Sequence, residues 1–441
     1  MNDDTTNTCS RRDFIKTTAA SATGVVAAAK LLRAEPARAP VVNPRVIGAN
    51  DRVQIAIVGV KGMGGGHLRN LVGADMQGDN VSVVSVCDVW ETARRRAQTT
   101  AKLTDAVVFS DYRRVLQSKD VDAVVVATPD HWHGRIGLEA LEAGKHLYIE
   151  KPMTRYLDEA FKIYDAAKRT KLRVQVGSQG CSDPKFHRAR ALVKSGDVGQ
   201  VLWAQGSYCR NNPRGEWNYK IEPEATAQSV DWKTWLGASR ARPWSPERFF
   251  RWRKFWDYGT GIIGDLWPHR LHPLMLAMAI EEFPSSVTCM GSDLCETDRG
   301  PGPDGQPYGE PREVADTTLM MVNFPSGATI VLAGSTVNER GLEDIIRGSK
   351  SNLTMGGGRL EITPERPYTD EIDARDETPE DAGESHLKHM RNFLHSIRNN
   401  VPASCNEDLG IRVQAVVSMA EEAYRKKRLV RFDERTRAML T

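Results

Sequence analysis

The chain has 441 residues, 40% of them hydrophobic and 27% charged, with a formal net charge of +3. That length suits about two or three domains with a sizeable core. The near-neutral balance, with no long basic run carrying interleaved aromatics, excludes nucleic acid as a partner and a membrane surface held by charge alone.

Residues 1–39 read as an address. Ser10-Arg11-Arg12-Asp13-Phe14-Ile15-Lys16 matches the twin-arginine export consensus, and a mild apolar run follows from Thr17 to Ala29. That run is too short to span a bilayer. Ala37-Arg38-Ala39 fits a small-x-small cleavage site. The expectation is a partner in the twin-arginine export machinery, delivery of a folded protein to a bacterial periplasm or cell surface, and no stable membrane insertion. Seven cysteines (Cys9, Cys87, Cys181, Cys209, Cys289, Cys295 and Cys405) include no Cys-x-x-Cys pair. They support neither a zinc ribbon nor a thioredoxin motif.

After a linker at 40–51, residues 52–177 alternate short β-branched runs with helical stretches. Strands are expected at Gln54–Val58, Val81–Cys87, Val107–Ser110, Ala123–Ala127, His146–Ile149 and Arg173–Val176, and helices at Glu91–Lys102, Arg135–Ala143 and Leu157–Lys168. Strands apolar throughout are buried on both faces, and this rhythm predicts βαβ units in a doubly wound parallel sheet of Rossmann type.

The first strand runs into Gly59-Val60-Lys61-Gly62-Met63-Gly64. Glycines there let backbone N–H groups approach a pyrophosphate at a positive helix end. The usual Gly-x-Gly-x-x-Gly has Lys61 in its middle place, with Gly62 directly after it. Lys61 either adds charge toward phosphate or displaces the dinucleotide by its bulk. Asp88 ends the second strand, where a carboxylate accepts from a ribose diol and favours NAD over NADP. Arg94, Arg95 and Arg96 follow and leave NADP open. Thr128-Pro129-Asp130-His131-Trp132-His133 closes the fourth strand, so Thr128, Pro129 and His133 flank the nicotinamide side. His131 and His133 alternate as two strand-borne ligands would, but no acidic or cysteine partner supports them, and no metal site is assigned. His131 and Trp132 are assigned to the substrate side.

The fifth strand ends in Glu150-Lys151-Pro152. Pro152 keeps Lys151 out of the helical region, so its amine sits on an extended backbone at the carboxyl end of a strand. Glu150 is assigned to the cofactor side.

From residue 178 the pattern changes. A helix is expected near Lys185–Lys194 and a strand at Val201–Tyr208, followed by an irregular stretch at 211–257 rich in Trp, Arg and Pro. A helix near Leu266–Ile280 precedes strands at Ser286–Gly291, Thr317–Phe324, Thr329–Ser335, Asp344–Gly348, Asn352–Met355 and Arg359–Thr363. Pro301–Pro311 reads as an exposed Gly/Pro-rich loop. Helices near Glu384–Arg398 and Leu409–Lys426 close a second domain at 178–433, leaving 434–441 as a tail. The fold class is α/β: the Rossmann domain, then an α+β domain with a mainly antiparallel sheet.

Four segments together resemble the glucose–fructose oxidoreductase / inositol dehydrogenase / rhizopine-catabolism (Gfo/Idh/MocA) family. They are the turn at 59–64, the 128–133 segment, Glu150-Lys151-Pro152, and the stretch from Trp256-Asp257-Tyr258-Gly259 through Gly264-Asp265-Leu266-Trp267-Pro268-His269. Asp231-Trp232-Lys233-Thr234-Trp235-Leu236-Gly237 resembles a subgroup feature. The resemblance implies a large open sheet that makes a homo-oligomer. It also implies hydride transfer between NAD(P) and a carbohydrate or polyol, with Lys151, Asp265 and His269 as catalytic residues. The family's second acidic residue, three places after the histidine, is His272 here, assigned to the substrate side.

The chemistry agrees. Oxidising a secondary alcohol needs a base and an aligned hydride acceptor, and a lysine beside a nicotinamide cation has its ammonium form disfavoured by like charge. Asp265 and His269, four residues apart, form a carboxylate–imidazole pair suited to serve between them as base and orienter. Three functions stay open: an exported sugar or polyol oxidoreductase with a tightly held cofactor, an NAD-dependent glycoside-cleaving enzyme acting by transient oxidation, and a non-catalytic sugar-binding protein.

Overall fold

The computed structural model describes residues 48, 51–212, 215–294 and 309–440. The proposed leader, most of the linker, and residues 301–308 of the Gly/Pro-rich loop lie outside the described residues.

The first sheet is built from strands with almost no exposed position. β1 (Val53–Val58), β2 (Val81–Cys87), β3 (Val108–Phe109), β4 (Ala123–Val126), β5 (His146–Glu150) and β6 (Val174–Gly177) pair in the order β3-β2-β1-β4-β5-β6, parallel throughout. Ile55, Ile57, Val124 and Val126 are fully buried because helices cover both faces. Helices α1 (Gly62–Val72), α2 (Glu91–Ala101), α3 (Tyr112–Leu116), α4 (Asp130–Glu142) and α5 (Leu157–Thr170) connect them. The chain reverses its winding between β1 and β4, and their carboxyl ends open the crevice that such sheets use for ligands. The third strand is shorter than expected, because Asp105–Val107 winds into a 3₁₀ turn. Helix α4 starts five residues earlier than expected, at Asp130.

The second sheet follows alternation. β7 (Val201–Cys209), β8 (Ser286–Ser292), β9 (Thr317–Asn323), β10 (Thr329–Ser335), β11 (Ile345–Gly348), β12 (Ser351–Thr354), β13 (Glu361–Pro364), β14 (Arg375–Asp376), β15 (Val430–Asp433) and β16 (Ala438–Leu440) lie in the order β14-β13-β12-β11-β7-β10-β9-β8-β15-β16. All pairs are antiparallel except β7 with β10. The expected tail is therefore corrected: β16 is an edge strand, three residues too short to carry a periodic signal. On β9, Thr318, Met320 and Val322 are buried while Leu319 and Met321 are exposed. The buried face packs on helices α6 (Pro184–Ser195), α9 (Pro268–Ala277), and α11 (Glu407–Lys426), with α10 (His386–Asn399) against the first sheet. Within the irregular stretch are two five-residue helices, α7 (Trp232–Leu236) and α8 (Pro246–Phe250). Among the described residues no helix is long and apolar enough to cross a membrane.

Ile330 on β10 is fully buried at the centre of this sheet. Ile330→Ala removes buried methylenes from a site flanked on both sides by paired strands. Urea unfolding should register a loss of about 2–5 kcal/mol.

Candidate active site

The cofactor end is shaped by three close approaches. Gly59 has φ +84, and a Cβ there would lie 2.7 Å from the Ala127 carbonyl oxygen. A Cβ on Gly64 would fall 1.7 Å from the Gly59 oxygen, so α1 packs on the turn only with glycine at that place. Gly62 has φ +54 and nothing within 4 Å of a Cβ. The turn thus leaves open room beside its backbone at a helix N-terminus, the arrangement a pyrophosphate needs. Met63 lies in the first turn of α1 and borders the same cleft.

Lys61 turns to the opposite wall. Its Nζ lies 3.1 Å from Glu222 Oε1 and 3.8 Å from the centre of the Phe250 ring. Burial lowers its pKa against the pull of Glu222. Arg96 pairs with the other Glu222 oxygen at 2.6 Å. Asp88 accepts from the Val60 amide on Oδ2 and the Trp90 amide on Oδ1, both at 2.9 Å. Burial raises its carboxyl although both bonds oppose it. Arg94 donates to the Asp88 carbonyl and Arg95 to Asp105. Each of the three arginines already has an acceptor within the protein, which favours the ribose diol of NAD over a 2′-phosphate.

The cleft has a volume of ≈ 530 Å³. One wall is the turn, Asp88, Thr128, Pro129, His133, Glu150 and Lys151. The facing wall comes from the irregular stretch: Tyr219, Trp235, Phe249, Phe250, Trp252 and Arg253. A strap of the second domain therefore covers the first domain's crevice. Besides the Glu222 pairs, Trp90 and Val230 form a β-bridge and the Glu91 amide donates to the Ser229 carbonyl at 3.0 Å.

His131 and His133 sit on the first turn of α4 rather than on a strand, so the alternating-ligand geometry does not arise. The two nitrogens of His133 face the carbonyls of Pro152 and Thr128, each at 2.8 Å. The ring therefore ties the β4 loop to the lysine segment, and burial lowers its pKa. His131 Nε2 and Trp132 Nε1 both meet the Trp235 carbonyl at 2.8 Å. Trp132 borders the cleft, whereas His131 packs between the Trp235 and Tyr258 rings behind it, with its pKa lowered to about 4 by burial. The substrate assignment of His131 is corrected to a structural bond with the strap. Among the described residues no group of three His, Cys, Asp or Glu side chains is placed to hold a metal.

Lys151 Nζ donates to Asp265 Oδ1 at 2.7 Å and to the Asp265 carbonyl at 2.8 Å. Asp265 lies in a wide π turn (Ile262–Leu266) ahead of α9. Its Oδ2 accepts from Trp217 Nε1 at 2.7 Å, and Arg253 Nε lies 2.9 Å from Oδ1. Burial pushes this carboxyl up, but Arg253, Lys151 and the two bonds outweigh it and hold it well below the usual carboxylate range. Asp265 is thus a fixed anion that orients the amine and does not take a proton at neutral pH. His269 stacks on Tyr208 at 5.0 Å and has no hydrogen-bond partner among the described residues. Burial and then the Lys151 charge drive its pKa well below 6.5, leaving a neutral imidazole with a free lone pair. His272 is buried, with Nδ1 at 2.9 Å from the Pro268 carbonyl and pKa lowered by burial to about 4. Its substrate-facing role is corrected: it points into the core of α9.

Glu150 Oε1 lies 2.7 Å from His67 Nε2. A Cβ on Gly177 would lie 2.7 Å from the same oxygen, so the carboxylate is pressed flat on the β6 backbone. Burial raises its carboxyl, but the His67 bond and the Lys151 charge prevail and lower it.

Two groups here escaped the sequence reading. Asp130 opens α4, borders the cleft, is 4% exposed, and has no hydrogen-bond partner among the described residues. Burial raises its carboxyl to about 7, with Arg253 opposing and Asp265 adding. The signal available was an acid directly after Thr-Pro at a strand end. Arg253 sits in a Trp- and Arg-rich stretch without periodicity, and nothing in the sequence singled it out. A native pKa above the unfolded one means the native state keeps a proton that the unfolded chain has lost. Stability therefore falls as pH rises from the usual carboxylate range to about 7. Denaturant unfolding across that window should show wild type declining relative to Asp130→Asn by on the order of 2–4 kcal/mol.

The sequence matches the oxidoreductase family with an NAD-binding Rossmann fold over residues 53–178 and that family's C-terminal alpha/beta domain over residues 190–432. A protein of Saccharopolyspora erythraea named "Glycosyl hydrolase family 109 protein" is 27% identical over 394 residues, covering 84% of this chain and 77% of its own length. An inositol 2-dehydrogenase of Rubrobacter xylanophilus is 31% identical over 194 residues, 43% of this chain and 53% of its own. The match thus spans only about half of that relative. The solved structure of levoglucosan dehydrogenase with NADH and L-sorbose shares the fold at a TM-score of 0.66 and 18% identity, covering 86% of this chain and 99% of the other. Glycine turn, acidic strand end, covered cleft and lysine-bearing strand all fit a bound dinucleotide, and the chain belongs to the Gfo/Idh/MocA family of NAD-dependent oxidoreductases.

Proposed function

We propose that this protein is an exported oxidoreductase that moves a hydride between a tightly held NAD and a secondary alcohol of a sugar or polyol. The observation that carries this reading is the Lys151 amine, fixed at 2.7 Å on Asp265 at the border of the dinucleotide cleft. When bound, NAD supplies the hydride acceptor. Two oxygens of Asp265 take two positions around Nζ, and the remaining one is free for a substrate hydroxyl. His269, neutral and without a partner, is suited to receive the hydroxyl proton.

Export rests on the twin-arginine leader, and it makes free cofactor scarce. The strap supports a cofactor loaded before export and kept through turnover. Self-association through the open face of the second sheet belongs to the same reading, with Met290, Leu319 and Met321 exposed there.

The glycosyl hydrolase relative, which covers 84% of this chain, favours a second reading. In it a sugar hydroxyl would be oxidised transiently, the aglycone eliminated as its alcohol, water added across the double bond so formed, and the carbonyl reduced again, with NAD when bound storing the hydride between the two redox steps. Release of p-nitrophenol from an aryl glycoside without net NADH would select it over net dehydrogenation.

Denaturing the protein purified from the periplasm should release NAD or NADH, identified by mass, at about one per chain; a dinucleotide-free protein would refute the reading. Lys151→Ala should keep that cofactor and lose at least 10²-fold in hydride transfer, measured by single-turnover absorbance. Glu222→Gln removes the partner of both Lys61 and Arg96. At about 1 kcal/mol for two partly exposed pairs, it should speed NADH release roughly fivefold in a fluorescence chase.

A further inference from the structure

Arg253 and Asp130 border the cleft with open valences. Arg253 follows Trp252 on a 3₁₀ turn (Trp252–Lys254), and its guanidinium carbon lies 4.1 Å from the centre of the Trp252 ring. The indole holds one face of the guanidinium, and Asp265 holds Nε at 2.9 Å. Neither Nη nitrogen has a hydrogen-bond partner among the described residues, and a quarter of the side chain (25%) is exposed. Gly259 seals the arrangement: a Cβ there would meet Trp252 at 3.0 Å and Asp130 Oδ2 at 3.4 Å. The guanidinium is therefore packed against Trp252 and Asp265 and borders the cleft that also holds Lys151.

Lys151 and Arg253 share the Asp265 carboxylate, and Glu150, beside Lys151, is turned onto His67. The acid that stands by Arg253 with no hydrogen-bond partner of its own among the described residues is Asp130. The charged groups acting on it are Arg253, Asp265, Lys151 and Arg155, and burial keeps it largely protonated below about 7. A neutral sugar offers the fork only single, uncharged hydroxyl acceptors, whereas a carboxylate accepts two parallel charge-assisted N–H bonds from it.

We propose that the substrate is an acidic sugar of the uronic acid class, whose carboxylate docks on the two Nη nitrogens of Arg253 while the hydroxyl to be oxidised lies at Lys151. This inference rests on the sugar oxidoreductase reading and narrows it to a substrate class. Arg253 is a specificity-determining residue in it, and Asp130 sets its pH range: an ionised Asp130 competes with the substrate carboxylate for Arg253, so binding weakens as pH rises through about 7.

The test is calorimetric binding to the NADH-loaded protein at about pH 6, below the Asp130 titration. D-glucuronate and D-galacturonate are compared with D-glucose, D-galactose and the neutral methyl esters of both acids. At least one acid should bind about tenfold tighter than its neutral sugar and its ester. Arg253→Gln should abolish the difference, and Arg253→Lys, which keeps the charge without the fork, should retain part of it. The wild-type comparison needs no variant, so a misfolded Arg253→Gln does not blunt the test. Equal or tighter binding of the neutral sugars or esters, or no binding of any of the six, overturns the proposal. In that event retained NADH and hydride transfer to a neutral polyol leave the broader reading standing, while a protein that holds no dinucleotide refutes the broader reading itself.

Discussion

The ion pair between Lys151 and Asp265 is the constraint on which the rest of the molecule turns. The amine comes from the end of a parallel strand in the first domain and the carboxylate from a π turn in the second. Both are largely removed from water, so each charge is tolerable only with the other in place. The pair therefore fixes the relation of the two domains at the site. Trp217 and Arg253 add a further donor and a further charge to the same carboxylate, which is why it stays ionised despite burial.

A second set of contacts holds the strand end from behind. His133 faces carbonyls of both the β4 loop and Pro152, and His67 on the glycine-turn helix meets Glu150 next to the lysine. Gly177 lets the Glu150 carboxylate lie on the neighbouring strand. The helix that starts at the pyrophosphate turn and the strand that carries the amine are thereby coupled through one buried histidine–carboxylate contact. Neither contact touches the reacting atoms, yet both limit how far Lys151 can move relative to the turn.

What was legible in the sequence follows from what leaves a local trace. Strands buried on both faces write themselves as unbroken Val and Ile runs, so five of the six parallel strands stood within a residue or two of their observed ends; Val107–Ser110, exposed on one side and partly wound into a turn, did not. The glycine turn, Asp88 and Lys151 were readable because close backbone approach and strand ends demand particular residue types. His131 and His272 were misassigned because sequence spacing does not say which side of a helix meets the core, and both proved to bond carbonyls away from the cleft. Asp130 and Arg253 were missed for a different reason. Their importance lies in polar atoms beside the cleft that have no hydrogen-bond partner among the described residues, and an absent partner has no sequence signature. The strap was invisible as a strap because aromatics without periodicity look alike whether they fill a core or roof a crevice.

The junction has a consequence for how such proteins diversify. The first domain supplies the coenzyme turn and the amine, while the carboxylate, the histidine, the guanidinium and the aromatic roof all come from the second. Exchange of the second domain would therefore replace the counter-ion, the proton-accepting imidazole and the sugar-facing surfaces together, while the coenzyme turn stays with the first.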